Sequence, residues 1–284
     1  MEEKYIPAGH ASPSTILTTL AIGIVASFIL PLLYIILCQL IPNIWFIAIC
    51  AFSLGMLLGL AIDIGIRIGK IRNLQVALII AIVCSLLAFY VQWVFFDAVM
   101  YSRSGFTFRL SSADLKQLFV DMVFLFVHPG ILFKEIAALN EAGTFRIQGS
   151  DNVSGLLLWL IWAGEFIVII GGTIVVAWSG QVKIPYSELN DQWMKRRTPN
   201  HIISFVHDKE YLLSQLRNKN FDVLKDSPDL ITQPDYAEVI VYESVGDPTK
   251  FITVLNVTAP AGRNKQPKKK TVVSHFPLPN HAAI

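Results

Sequence analysis

Two carboxylic acids lie within long apolar stretches of this 284-residue sequence. Glu165 occurs in LLLWLIWAGEFIVII, and Asp63 occurs in GMLLGLAIDIGIRIGKIRN. A charged side chain at the centre of a bilayer costs roughly 2.5 kcal/mol or more, so the carboxyl group must be protonated, paired or hydrated. We therefore treat Glu165 and Asp63 as candidate proton or cation sites.

Each acid also has a purely structural interpretation, which the sequence favours. Asp63 lies four residues before Arg67 on the same helix face, where the two side chains can form a shielded ion pair. Glu165 can stay neutral and hydrogen-bond to a neighbouring hydroxyl or carbonyl group. The serines at a comparable depth in the other apolar stretches are Ser27, Ser53 and Ser85.

Four apolar stretches are long enough to hold these groups inside a membrane, since crossing takes about 20 helical residues. They are residues 16–41, 44–66, 74–100 and 153–178. Charged residues make up 15% of the chain, against about 25% in soluble domains. The sequence therefore predicts a multi-pass α-helical membrane protein with four transmembrane helices. Gln92 and Asp97 fall toward the outer end of the third stretch, where we expect interfacial water to solvate them.

The charges of the loops predict the orientation of the chain. Arg67, Lys70 and Arg72 follow the second stretch without an intervening acid, and short loops rich in Lys and Arg stay on the cytoplasmic side. We therefore expect a short cytoplasmic tail over residues 1–15 and a cytoplasmic C-terminal region after residue 180. The expected location is a plasma or inner membrane, with both termini cytoplasmic.

The segment 101–152 is then external and begins with a helix signal. Ser111 followed by Asp114 predicts a capping box at the start of the first helix. Pro129 and Gly130 interrupt that helix.

A second short helix is expected over residues 131–140, with Gly143 as its C-terminal cap. The stretch 118–127 is too short to cross a membrane comfortably and too apolar to be freely solvated, so the pattern indicates an interfacial or re-entrant helix pair. His128 lies at the break, and we expect it to cap a helix end.

Four glycines of the second stretch are spaced for close helix packing. Gly55 precedes Gly59, and Gly65 precedes Gly69, by four residues in each case. Such spacing clears a groove in which another helix can approach. The sequence favours packing within one protomer, and contact with a second copy in a homo-oligomer is the alternative.

The composition becomes that of a polar globular region after residue 180. We expect a juxtamembrane connector over 181–206, a small cytosolic α+β domain over 207–276 and a tail over 277–284. The domain begins with a predicted helix over 208–218, for which Asp208 is the N-cap.

Three β-type runs follow that helix, over residues 237–244, 250–258 and 270–276. They predict a three-stranded antiparallel sheet covered by the helix. A basic group lies near the start of the third run, and its members are Arg263, Lys265, Lys268, Lys269 and Lys270. Contact with anionic lipids is one hypothesis for this group, and a solvated loop is the commoner meaning of such a run.

Other chemistry is not indicated by the sequence. Phosphate-binding loops and metal-ligand spacings do not occur, and Cys38, Cys50 and Cys84 fall within predicted transmembrane helices. We expect no cofactor, metal site or catalytic group. The small net charge of +2 also argues against nucleic-acid binding.

Three function classes follow from these features. The favoured one is a membrane-anchored scaffold that presents its cytosolic domain to a cytosolic or membrane protein partner. The second is a small channel or transporter that uses Glu165 and Asp63. The third is a membrane-embedded enzyme.

Overall fold

The computed structural model describes residues 5, 7, 9–41, 43–100, 111–143, 153–198, 201–259, 267–279 and 282. The chain divides into two compact units. The helical unit is Gly9–Lys183, and the sheet unit combines Ile184–Ile284 with the N-terminal residues Met1–Ala8.

The helical unit contains six α-helices within its described residues. They are α1 (Pro13–Leu40), α2 (Ile44–Gly69), α3 (Leu74–Met100), α4 (Ser112–Val127), α5 (Pro129–Ala142) and α6 (Gly155–Ser179). The helices α1, α2, α3 and α6 are long and apolar enough to cross a membrane. This confirms the predicted number of long apolar helices.

Short polar side chains determine where the first helices begin. The hydroxyl of Ser12 accepts a hydrogen bond from the backbone N–H of Thr15 at the start of α1. The side chain of Asn43 accepts from the first backbone N–H groups of α2. At the other end of α2, Lys70 takes a left-handed conformation with φ of 57°, which stops the helix and reverses the chain.

Three backbone contacts place both ends of the helical unit together. The N–H of Gly9 donates to the carbonyl of Arg72 at 3.2 Å, and the N–H of Arg72 donates to the carbonyl of His10 at 3.0 Å. The N–H of Gln181, just after α6, donates to the carboxylate of Asp63 near the end of α2 at 2.6 Å. The start of α1, the α2–α3 connection and the end of α6 therefore lie at one end of the bundle.

The pair α4–α5 is inserted between α3 and α6, and the end of α5 lies beside the start of α6, where the side chain of Asn140 donates to the carbonyl of Gly155 at 3.0 Å. The two helices meet at an angle of 105°. The predicted capping box is confirmed, since Ser111 and Asp114 hydrogen-bond reciprocally. Those bonds from Ser111 hold the pKa of Asp114 below its ordinary value. Gly143 ends α5 with φ of 79°, a conformation that favours glycine.

The bend of this pair lies deep along α3. The hydroxyl of Tyr90 donates to the carbonyl of Phe126, next to the bend, at 2.7 Å. Tyr90 lies ten residues before Met100, the last residue of α3, which corresponds to about 15 Å along the helix axis. The bend therefore lies alongside α3, and the choice between an interfacial and a re-entrant pair stays a prediction.

Helices α2 and α6 are in backbone contact at two glycines. A Cβ atom added to Gly55 would lie 2.5 Å from the carbonyl oxygen of Ile169, and one added to Gly59 would lie 2.6 Å from the Cβ of Val176. The hydroxyl of Thr173 donates to the carbonyl of Gly55 across the same interface at 3.0 Å. This close approach is possible only because the glycines lack side chains.

The other glycine pair contacts α1. A Cβ atom on Gly65 or Gly69 would lie 3.0 Å or less from the side chain of Thr19. The hydroxyl of Thr19 donates to the carbonyl of Gly65 at 2.9 Å. The structure therefore places all four glycines at contacts within this chain.

The sheet unit contains one α-helix and seven strands within its described residues. They are β1 (Tyr186–Ser187), β2 (Gln192–Trp193), β3 (Lys195–Arg196), β4 (His201–Ile203), α7 (Lys209–Arg217), β5 (Asp235–Glu243), β6 (Thr249–Thr258) and β7 (Lys268–Pro279). Strands β5, β6 and β7 form an antiparallel meander, and β3 and β4 pair with the free edge of β5. The helix α7 begins at its predicted cap, Asp208, and buries Leu212, Leu213 and Leu216 against the sheet.

The sheet is larger than the sequence indicated. Residues 181–206, assigned to a connector, contribute β3 and β4 to this sheet and form a separate two-stranded sheet with β1 and β2, and β7 continues to Pro279 within the segment assigned to a tail. Strands of two or three residues are too short to show an alternating pattern. The predicted tail 1–15 also takes part, because the N–H of Tyr5 donates to the carbonyl of His275 at 2.9 Å.

The close packing of α2 against α6 can be tested by adding one methyl group to Gly55. We expect Gly55→Ala to lower the free energy of unfolding by about 1–3 kcal/mol, since the added carbon overpacks the interface. Thermal unfolding of the detergent-solubilised protein measures the effect. Gly171→Ala is the matched control in α6, because a Cβ atom there meets no atom within 4 Å. Equal melting temperatures for the two variants would contradict this packing.

Candidate functional site

Glu165 accepts hydrogen bonds from two other helices. The hydroxyl of Tyr34 in α1 donates to its Oε1 atom at 2.6 Å. The side-chain N–H of Gln92 in α3 donates to the same oxygen. The three residues, which we call the carboxyl cluster, join α1, α3 and α6 at the inner surface of the bundle.

The donors are shielded from solvent within the bundle. Tyr34 is 5% exposed and Gln92 is 4% exposed. The expectation that interfacial water solvates Gln92 and Asp97 is therefore wrong, because Asp97 is also buried. Leu125, Leu132 and other residues of the α4–α5 pair form an apolar cluster with this half of α3 and cover it.

The serines at a similar depth bind backbone carbonyls instead of Glu165. Ser27 donates to the carbonyl of Cys84 in α3 at 2.9 Å, while Ser53 and Ser85 donate to carbonyls one turn earlier in their own helices. The hydroxyl partner of Glu165 is Tyr34. A residue count along the helices does not identify this pair, because a tyrosine places its hydroxyl far from its own Cα atom.

The carboxyl cluster can stabilise Glu165 with or without a proton. Two donors on one oxygen favour the carboxylate, whereas the apolar surroundings favour the neutral acid. The carbonyl oxygen of Gln92 is buried and has no hydrogen-bond partner among the described residues. An amide rotated by half a turn would present this oxygen to the proton of a neutral Glu165.

Asp63 lies outside the carboxyl cluster. Its carboxylate accepts the backbone hydrogen bond from Gln181 that connects α2 to the end of α6. Glu165 lies 14 residues before Ser179, the last residue of α6, and this separation is about 21 Å. The two acids therefore do not form one site. The ion pair between Asp63 and Arg67 stays a prediction.

The basic group is described only in part, because Arg263 and Lys265 lie outside the described residues. Lys268, Lys269 and Lys270 begin β7 and are exposed. Lys269 forms an ion pair with Glu238 of β5 at 2.9 Å. This pairing reduces the local positive charge, and the lipid contact stays a prediction.

Metal chemistry finds no support in the described part of the chain. No group of three or more His, Cys, Asp or Glu residues there is arranged to hold a metal ion. His128 lies at the α4–α5 bend, and its Nδ1 is 2.8 Å from the carbonyl oxygen of Phe124. This contact satisfies an end carbonyl of α4, in agreement with the predicted capping role.

Comparison with known proteins does not assign this chain to a family. The chain matches no protein-family model, no curated protein and no solved structure. The functional interpretation therefore depends on the contacts of its own residues.

The carboxyl cluster predicts energetic coupling between Tyr34 and Glu165. We expect the Tyr34→Phe and Glu165→Gln variants to show a coupling free energy of about 0.6–1.7 kcal/mol in a double-mutant cycle, the range for hydrogen bonds between membrane helices. Unfolding in detergent is the measurement. A second cycle pairing Tyr34→Phe with Ser53→Ala serves as the control, because the exposed Ser53 binds within its own helix. Coupling of equal size in both cycles would contradict the cluster.

Proposed function

We propose that this chain is a membrane-anchored interaction protein. Its helical unit inserts in the membrane, and its sheet unit presents a binding surface on the cytoplasmic side. The observation that carries the proposal is that the chain enters and leaves the helical unit at the same end of the bundle. The basic residues Arg67, Lys70 and Arg72 lie at that end, which the positive-inside rule assigns to the cytoplasm.

The sheet unit has the internal organisation of an independent domain. Leu212 and Leu216 of α7 pack with Val239, Ile252 and other strand residues in a core of its own. The N-terminal segment is held to the same unit, since the ring of Tyr5 packs edge-on against Phe251 with centroids 5.0 Å apart. A domain with its own core keeps its surface while it binds a partner.

A candidate contact surface consists of two turns that hydrogen bonds hold together. We call it the paired-turn tip, and it comprises residues 187–191 and 244–248. The side chain of Asn190 donates to the hydroxyl of Ser244 and to the carbonyl of Val245, both at 2.8 Å. At its base, Ser187 donates to the buried carboxylate of Asp247 at 2.6 Å.

The paired-turn tip displays apolar side chains to solvent. Leu189 is 67% exposed and Val245 is 91% exposed. An isolated exposed apolar residue is ordinary on a protein surface, but two on adjacent, rigidly connected turns form a preorganised contact for an apolar partner surface. We therefore assign partner binding to this tip.

Affinity purification of the full chain from its native membranes tests this assignment. We expect a stoichiometric partner to co-purify with the wild type and to be lost from the Leu189→Glu, Val245→Glu double variant. Tyr211→Glu is the matched control, because Tyr211 is 60% exposed on α7, and it is expected to retain the partner. Identical co-purifying proteins for all three chains would contradict the assignment.

A second candidate function, proton binding or transport, is favoured by the carboxyl cluster. It requires Glu165 to gain and lose a proton, for which Tyr34 and Gln92 supply adjustable hydrogen bonds. In this case, proteoliposomes containing the wild type dissipate an imposed pH gradient faster than those containing Glu165→Gln.

A pH-sensitive dye inside the vesicles measures that rate. Asp63→Asn is the control, since Asp63 lies outside the cluster and should leave the flux unchanged. Equal rates for the wild type, Glu165→Gln and protein-free vesicles would exclude proton transport through the carboxyl cluster.

A further inference from the structure

A cavity of about 460 Å³ lies between α3, α5 and α6. Its walls are almost entirely apolar, and aromatic rings dominate them. Three tryptophans belong to the lining, and Trp162 contacts both Trp93 and Trp159 edge-on, with ring centroids 4.7 and 5.2 Å apart. Such a volume is in the range of small-molecule sites, which occupy about 300–1,000 Å³.

The cavity lies at the depth of the hydrocarbon. Its shallow end is at Trp159, four residues after the start of α6, or about 6 Å along the helix. Its deep end is at Leu86, 14 residues before the end of α3, or about 21 Å. The hydrocarbon core of a bilayer is about 30 Å thick, so the cavity occupies one leaflet and ends near the midplane.

The cavity opens on the outer surface of the bundle. Leu86 and Phe133, on either side of the opening, are 49% and 64% exposed. At this depth the surrounding solvent is the acyl chains of the bilayer. We propose that the cavity binds one acyl chain of a membrane phospholipid from the leaflet opposite the Arg67–Arg72 end, an inference that rests on the membrane anchoring proposed above.

The shape and the chemistry of the walls favour a hydrocarbon chain. The residues that line the volume extend over about 15 Å along the helices, a length that a single acyl chain can follow. The polar groups of the lining are the hydroxyl of Tyr90, which donates to the carbonyl of Phe126, and the indole N–H groups of the three tryptophans. The rest of the wall is apolar, which favours a hydrocarbon chain over a polar ligand.

A helix of a second copy needs more space, because 15 Å of a helix about 10–12 Å across occupies about 1,200 Å³ or more, against the 460 Å³ of the cavity. Transfer of the acyl chain from the bilayer brings no hydrophobic gain, since lipid tails are as apolar as the walls. Its affinity comes from dispersion contacts with the rings, which would otherwise face an unfilled void. The bound chain should therefore be retained selectively over the surrounding lipid.

A ring placed in the cavity provides the direct test. Ala163 lines the cavity, so Ala163→Phe would fill it. Ile167→Phe adds the same ring one turn later, where the side chain is 67% exposed on the bundle surface. Native mass spectrometry of the full chain, titrated in detergent with dioleoylphosphatidylcholine, measures the bound lipid.

We expect the wild type and Ile167→Phe to bind one phospholipid with similar affinity, and Ala163→Phe to bind it about tenfold more weakly. Equal binding by all three chains would overturn the proposal. A dimer of the wild type that Ala163→Phe abolishes, without a bound lipid, would also overturn it and would identify a second copy as the occupant.

Tryptophan fluorescence supplies a second readout that does not depend on detergent. With Trp45, Trp178 and Trp193 replaced by Phe, the remaining tryptophans all line the cavity. In proteoliposomes, a phospholipid brominated on its acyl chain should quench them with a saturable phase at low mole fraction. Ala163→Phe should lose that saturable phase. Ala163→Ser leaves the cavity open and is a smaller change for folding than Ala163→Phe, so it should keep the phase. A linear dependence in every variant would indicate surrounding lipid only and overturn the proposal.

Discussion

A chain that crosses hydrocarbon must satisfy all its backbone hydrogen bonds internally, which restricts each crossing to a whole helix. Four described helices of this chain are long and apolar enough to meet that constraint. Each crossing moves the chain to the other side of the membrane. An even number of crossings therefore leaves both ends of the helical unit on the same side. The backbone bonds between Gly9, His10 and Arg72, together with the bond from Gln181 to Asp63, bring both ends to one end of the bundle.

The same constraint applies to the polar side chains within the bundle, which form hydrogen bonds inside the protein. Thr19, Thr173 and Ser27 direct their hydroxyl hydrogens to backbone carbonyls of neighbouring helices. Glu165 instead accepts hydrogen bonds from side chains, which Tyr34 and Gln92 provide from two other helices. The glycines of α2 allow the backbone approach that these short bonds need. Packing, hydrogen bonding and the placement of the acid are therefore parts of one arrangement.

Features with a long or chemically distinct pattern could be predicted from the sequence. The long apolar helices, the capping box at Ser111, the Asp208 cap of α7 and the three long strands belong to this class. The short strands β1 to β4 could not be predicted, because they are defined by pairing with distant residues and show no period. The contact of Tyr34 with Glu165 was missed since side-chain length displaces the hydroxyl from its Cα level. Gln92 is buried because the α4–α5 pair packs against α3. The position of Gln92 along α3 gives no information about that packing.

The side of the membrane reached by each connection is the most direct test of this architecture. Cys38, Cys50 and Cys84 are first replaced by alanine, and single cysteines are then introduced at Ala113, Lys70 or Val245. An impermeant thiol reagent applied to intact cells should modify position 113, while positions 70 and 245 should react only after the membrane is opened. Modification of position 245 from outside, with position 70 still protected, would show an odd number of crossings between them and contradict the four-crossing bundle.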